Sequence, residues 1–408
     1  MKIRSLSWQV LAAGLLLTQG VTAQEKAQIE WYGFVAAQSY FETRASASGA
    51  GGFLYQYPLD ERIESIETSD DLNARPQASY YGAMARLGLN LKGPQVWGAT
   101  SRGKIEIEFS GFSQTANPIL YRHAFMALDW DAATMTLGQT WHPMNEMFPQ
   151  TVSIAIGAPF NALNRSPQFR YDKYFGSENH FRLSAAAIFQ YLNASTGPEG
   201  RTNTYQKDAC IPEFYLGADF SSEGFMFGVG AEWQRLAPRV STPSGKKVIE
   251  NVDGFAGMVQ TKYEQGAFSW KAKALLGQNM SNLGICSGFG TALMENGDLE
   301  WQPLTALSTW THISYGTKVK GGLFGGYMKN LGGKEGASFQ QIYAIGGGNL
   351  DAMYRVAPNI TYNIGNLNLG CEYELTSVAY GTCQPRGNVA DSHWITNHRV
   401  LLSVLYNF

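Results

Sequence analysis

Hydrophobic and polar positions alternate along most of this chain, most plainly at its end. Val400, Leu402, Val404, Tyr406 and Phe408 share one face of an extended segment, so that face is apolar without a break and closes on an aromatic ring. The same period of two recurs upstream. In residues 86–92 three leucines alternate with Arg86, Asn90 and Lys92, and in 104–109 Ile105, Ile107 and Phe109 alternate with Lys104, Glu106 and Glu108. Residues 225–233, 268–274 and 367–375 repeat the scheme. About sixteen such segments follow one another, an even number, as single-chain bacterial barrels require. The pattern predicts an all-β fold: a transmembrane antiparallel β-barrel of about 16 strands, with the apolar parity toward lipid and the polar parity toward a wet interior. The strand ending at Phe408 is predicted to pair with residues 29–39 and close the barrel, and Phe408 is the expected handle for the barrel assembly machinery.

Connections alternate in length. Short links at 130–133, 176–179, 221–224, 264–266 and 365–366 carry Gly, Asn, Asp and Ser and read as periplasmic turns. Long polar segments, at 43–77, 143–167, 192–211, 236–252, 279–303, 332–348 and 378–393, read as extracellular loops. A soluble β-sandwich also alternates, but it closes within about 200 to 250 residues and needs no long loops at one end only. The loop at 143–167 stands apart, because Phe148, Val152, Ile154, Ile156, Phe160 and Leu163 make it too apolar for exposure to water. It is predicted to fold inward as the third extracellular loop and to narrow the barrel. The alternative is a loop packed on a neighbouring subunit or on its own side chains.

The N-terminus changes the setting. Met1 to Arg4 is basic, residues 8–17 are apolar, and Val21-Thr22-Ala23 is a small-residue cleavage pattern, so residues 1–23 read as a signal peptide and 24–408 as the barrel. The apolar stretch is too short to span a membrane, and none elsewhere approaches the roughly 18 to 20 residues of a spanning helix. A mean hydropathy of −0.20 suits a membrane protein whose apolar residues are hidden in alternation. With Lys2 and Arg4 removed from the 31 basic residues, against 33 acidic ones, charge is near balance, which argues against nucleic acid as a partner. Export to the bacterial outer membrane is expected, with lipid around the wall.

Candidate chemistry lies in the interior charges. Polar parity places Arg86, Lys92, Lys104, Arg170, Arg182, Lys271, Lys273, Arg355 and Arg399 inside, against Glu106, Glu108, Glu232, Glu372 and Glu374, and the loop adds Arg165 and Glu146. The candidate pore residues are Arg165, Arg170, Glu146, Arg86, Arg182, Arg355, Arg399, Glu106 and Glu108. Arginines opposite carboxylates set up a transverse field that admits small anions more readily than cations. For each residue taken singly, a wall charge paired across strands is the plainer reading.

Enzyme chemistry finds no constellation. No two of the six histidines have ligand spacing on one face, and His393 and His398 point oppositely on a strand. His312 and Ser314 share a face, but it is the interior one, which does not suit a lipid hydrolase. Gly346 to Gly348 lack a following Lys-Ser or Lys-Thr and are turn chemistry. Cys210, Cys286 and Cys383 fall in predicted loops and Cys371 at lipid parity, spaced too widely for a metal site, and no disulfide pairing is selected. No catalytic residue, cofactor or metal is expected. A plugged 22-stranded transporter does not fit the length, since each strand with its loop consumes over about twenty residues.

Residues 138–143 (GQTWHP), 157–160 (GAPF), 164–168 (NRSPQ), 351–358 (DAMYRVAP) and 373–376 (YELT) together resemble the DcaP-like outer-membrane porin family, over essentially the whole mature chain. The resemblance implies a 16-stranded barrel, usually a homotrimer, that passes small hydrophilic solutes with its third loop as constriction. Members of that family carry a helical segment before the barrel; here only residues 24–28 stand in that place, so a trimer is expected to rest on the barrel walls. The expected function is passive diffusion of small hydrophilic, anionic solutes through a water-filled barrel. The other reading is a structural or adhesive barrel that binds partners through its long loops.

Overall fold

The computed structural model describes residues 28–408 except 50–51, 66, 110–118, 177–179 and 243. The predicted signal peptide lies outside the described residues, as does most of the turn at 176–179. Sixteen strands form the wall: β1 (Gln28–Glu42), β2 (Gln77–Val96), β3 (Ala99–Glu108), β4 (Leu120–Trp130), β5 (Ala133–Trp141), β6 (Arg165–Phe175), β7 (Phe181–Ile188), β8 (Glu213–Ser222), β9 (Phe225–Leu236), β10 (Val252–Gln265), β11 (Phe268–Gln278), β12 (Thr305–Gly316), β13 (Val319–Gly332), β14 (Leu350–Ile364), β15 (Leu367–Cys383) and β16 (Val389–Asn407). Each pairs antiparallel with its sequence neighbour, and β16 returns to β1, so the barrel is closed. Closure matters because an open strand edge in hydrocarbon leaves unpaired N–H and C=O groups that no water can satisfy. The register runs from Phe34↔Asn407 to Glu42↔Arg399. At its end the Phe408 amide donates to the Gly33 carbonyl at 3.1 Å, and the Gly33 amide donates back at 3.0 Å. A Cβ on Gly33 would stand 2.7 Å from the Phe408 ring, so the terminal aromatic lies where only glycine leaves room.

The two faces separate as the alternation requires. On β16, Leu402 and Val404 are 52% and 46% exposed on the outside, while Arg399 and Leu401 are buried. Leu137, Phe169, Leu216 and Val229 continue the outer apolar surface on other strands. A continuous belt of this kind is not stable against water, and lipid is the solvent that fits it. Leu402→Arg on this face is therefore expected to lower folding stability in a bilayer by about 2–4 kcal/mol, measured by reversible denaturant titration in lipid vesicles. A loss within error of zero would place Leu402 off the lipid face.

Turns between consecutive strands gather at one end. Trp97 with Gly98, and Glu223 with Gly224, all have positive φ, the conformation that matches a tight hairpin to the right-handed twist of its strands. The turns at 97–98 and 317–318 were not among the short links read from the sequence. The predicted long loop at 378–393 shrinks to 384–388, because β15 runs to Cys383 and β16 begins at Val389. There Val378, Tyr380 and Ile395 still pack inward, but the outward positions between Thr382 and His393 are mostly polar, so the alternation that marks a lipid-facing strand is lost. Cys383 accordingly ends a strand instead of lying in a loop, and all four cysteines are free. The segments at 279–303 and 332–348 are partly strand as well: Gly288–Leu293 lies between Leu299–Pro303 and Ser338–Ala344 in a small sheet.

The first long loop, predicted to be extracellular, turns a hairpin inward. Its strands are Ser46–Gly49 and Leu54–Pro58, and Phe53 and Tyr55 between and on them are buried. Arg399 donates from Nη1 to the Gly52 carbonyl at 2.9 Å, Arg355 donates from Nη2 to the Gln56 carbonyl, and the Tyr380 hydroxyl donates to the Pro58 carbonyl at 2.7 Å. The Asn397 amide donates to the Tyr55 hydroxyl at 3.2 Å.

Candidate pore and its charged lining

The third loop, residues 142–164, leaves β5 and returns as β6. It opens on a single 3-10 turn, Pro143–Asn145, where His142 Nδ1 accepts from the Met144 amide at 3.2 Å. Its further partners are polar-parity side chains of strands far away in sequence. Lys273 donates to the Met144 and Met147 carbonyls at 2.9 and 3.1 Å, Ser308 to the Phe160 carbonyl at 2.9 Å, Trp310 Nε1 to Asn161 Oδ1 at 2.9 Å, and Arg355 Nη1 to the Ala158 carbonyl at 3.0 Å. The amides of Val152 and Ser153 donate to the Glu372 carboxylate at 2.7 and 3.2 Å. These contacts run to β11, β12, β14 and β15, so the loop is anchored to the interior wall opposite its own strands. Arg165, Ser166 and Pro167 belong to β6, not to the loop as the boundary at 167 had them.

Two charged compartments border the loop, with Phe148 lining both. The first has a volume of about 740 Å³ and holds Arg86, Lys104, Glu106, Glu108, Arg122 and Arg165. Arg122 donates to Glu106 at 2.6 Å and reaches Glu108 at 2.9 Å, Arg86 donates from Nε to Glu108 at 3.0 Å, and the Tyr32 hydroxyl donates to Glu106 at 2.7 Å. The Arg165 guanidinium lies over the Trp141 ring, 4.7 Å from its centroid, and its Nη1 is buried without a hydrogen-bond partner. Lys104 sits over the Tyr32 ring at 4.8 Å. Three guanidinium groups thus face two carboxylates, and the carboxylates hold two of the three in place.

The second compartment, about 540 Å³, is closer to neutral. Arg182 donates to Glu146 at 2.8 Å and to Asp219 at 2.6 Å, while Arg170 bonds Glu146 and reaches Asp172 at 2.9 Å. Lys262 and Lys271 also line it, beside uncharged groups such as Met147, Pro149, Gln150 and Met226, whereas Arg170 and Asp172 lie behind the lining. Arg165 and Arg170 therefore flank the end of the loop without sharing a compartment.

The expected site set divides in three. Arg86, Glu106, Glu108 and Arg165 come together, as do Glu146, Arg170 and Arg182, but Arg355 and Arg399 do not line open space. Both are fully buried beneath the first loop, with Arg355 3.4 Å and Arg399 3.3 Å from Glu374, and Arg399 3.5 Å from Glu42. Parity assigns a face of the wall; it carries no information on which loop covers that face. Sequence reasoning also missed Arg122. A bulge opposite Glu106 and Ile107 turns Arg122 and His123 inward together, so strict alternation misplaces one of them. The visible signal was Tyr121-Arg122-His123-Ala124, two polar residues side by side between outward positions.

No protein-family model matches the chain, and no curated protein matches it. Among solved structures it is similar to the outer membrane channel DcaP of Acinetobacter baumannii, with a TM-score of 0.68 at 16% identity over 95% of this chain and 99% of that one. It is also similar to an anion-selective porin from Comamonas acidovorans, TM-score 0.56 at 10% identity, over 94% and 100% of the two chains. OmpF of Salmonella typhi, in complex with daunomycin, gives a TM-score of 0.56 at 11% identity over 93% and 97%. The chain has the closed 16-stranded fold of outer-membrane channels and porins, and the likeness to DcaP read from its motifs reappears as a likeness of fold along nearly its full length.

Proposed function

We propose that this protein is an outer-membrane porin that lets small hydrophilic solutes, preferentially anions, diffuse passively through a water-filled barrel narrowed by its third loop. On this reading the signal peptide is removed after Ala23, residues 24–408 insert with Phe408 as the handle for the assembly machinery, and three copies associate through their walls. The preference for anions rests on one observation: in the first compartment Arg86, Arg122, Arg165 and Lys104 face only Glu106 and Glu108. Guanidinium stays charged at any relevant pH, and in a narrow space with low-dielectric walls such an excess raises the local concentration of anions. The glutamates hold Arg86 and Arg122 in place, while Arg165 lines the same space and, pairing with no carboxylate among the described residues, is left to meet a passing carboxylate or phosphate oxygen. Diffusion through such a lumen needs no energy source and no reacting residue. The purified protein in a planar lipid bilayer is expected to give discrete, steady, ohmic current steps in potassium chloride. A barrel closed by its loops, acting as an adhesin or scaffold, would insert and pass no steady current.

A further inference from the structure

The first compartment is charged on one side only. Opposite the arginines the third loop presents Val152, Ile154 and Ile156, each partly exposed, while Ser153 and Ala155 between them, and Gly157 after them, are largely buried. Most amides along this stretch are already engaged: those of Val152 and Ser153 bond Glu372, that of Ala155 donates to Ser153 Oγ at 3.4 Å, and that of Ile156 donates to the Ser153 carbonyl at 3.1 Å. Thr151 and Ser153 also line the cavity, with the Thr151 hydroxyl donating to the Ser153 carbonyl at 3.2 Å, and the rest of what the loop offers there is hydrocarbon. Ile156 does so at φ 42°, a left-handed conformation that β-branched residues rarely adopt. Asn161 holds it there, donating to its carbonyl at 3.2 Å. Strain kept at one side chain is commonly kept for what that side chain does.

We propose that this compartment binds small organic monoanions with an apolar body, the carboxylate at Arg165 and the hydrocarbon against Val152, Ile154 and Ile156. The inference rests on the porin reading above and narrows its solute class. One carboxylate fits better than two because Arg86 and Arg122 are already engaged by Glu106 and Glu108, and Lys104 is held over Tyr32. Arg165 lines the cavity and, among the described residues, pairs with no carboxylate, and its stacking on Trp141 fixes the plane of the guanidinium edge that faces the cavity. A purely hydrophilic anion gains nothing from the aliphatic side, whereas each methylene that leaves water there strengthens binding. Passage of such solutes is then saturable, in contrast to free diffusion.

Hexanoate and acetate carry the same charge and differ in hydrocarbon, so they isolate the claim. In a planar bilayer with potassium chloride, hexanoate is expected to reduce the chloride current of the full-length protein with a half-blocking concentration at least about tenfold below that of acetate. Replacing Val152, Ile154 and Ile156 together by Ser should abolish that difference while leaving the reversal potential in a salt gradient unchanged, since no charge is altered. Ile154→Ser alone, which preserves most of the loop's packing, should reduce the difference severalfold and covers the case in which the triple variant does not assemble. Equal block by the two acids, or a hexanoate preference unaffected by Ile154→Ser, overturns the proposal even in an anion-selective pore. A cation-selective parent channel overturns the underlying anion preference instead, and the two failures are told apart by the reversal potential.

Discussion

Deleting Tyr406, Asn407 and Phe408 is expected to abolish assembly, reducing folded, heat-modifiable protein in the outer membrane to a few per cent of the parent level. These residues make the last rungs of the β16–β1 seam: Tyr406 opposite Val35, Asn407 opposite Phe34, and the reciprocal pair between Phe408 and Gly33. Their loss leaves the start of β1 unpaired on the β16 side, where each bare backbone group in hydrocarbon costs several kcal/mol. It also removes the terminal aromatic that lies over Gly33. Normal levels of folded protein in the truncated form would contradict both the closure and its importance.

Deleting residues 152–157 is expected to raise single-channel conductance to roughly twice the parent value or more, since conductance follows the open cross-section of the narrowest zone. The wall does not depend on these residues, because the ladders of β5 with β6 and of every other wall pair lie outside the segment. Its anchors elsewhere, Met144 and Met147 on Lys273 and Phe160 on Ser308, are outside the deletion and keep the rest of the loop against the wall. Glu372 loses the two amides it holds, but in a widened lumen water replaces them. An unchanged conductance would place the narrowest zone somewhere other than this loop, with the hairpin of the first loop the next candidate.

The wall was legible in the sequence because lipid imposes a rule that every spanning strand obeys. Leu402 and Arg399 could be assigned to opposite faces from spacing alone, and the structure leaves the first exposed and the second buried. The closing pair of Phe408 with the first strand followed from the same rule. The interior was less legible because inward side chains meet whatever loop lies over them. Arg399 and Arg355 have the same parity as Arg86, yet they bind the carbonyls of Gly52, Gln56 and Ala158 and are closed off, while Arg86 borders open space. The hairpin that covers them was hidden in a segment whose Gly and Ser residues read as an exposed loop. Arg122 was lost to a bulge, which shifts the period by one residue and turns two neighbours to the same side. Where the outer face of β15 and β16 meets water instead of lipid, alternation fades although the inner face stays packed, and the two strands run further than the pattern indicated.

The most direct test is the reversal potential of the purified full-length protein in a planar bilayer under a potassium chloride gradient. The excess of guanidinium over carboxylate in the first compartment is expected to bring it toward the chloride equilibrium potential. Screening shortens from about 10 Å at 0.1 M salt to about 3 Å at 1 M, so the preference should weaken as salt rises. Arg165→Gln removes the guanidinium that pairs with no carboxylate and should move the potential toward the potassium side without stranding a buried acid. A parent channel whose potential already lies on the potassium side at low salt would contradict the account, and would mean that Glu106, Glu108 or the acids around Arg182 govern the narrowest zone.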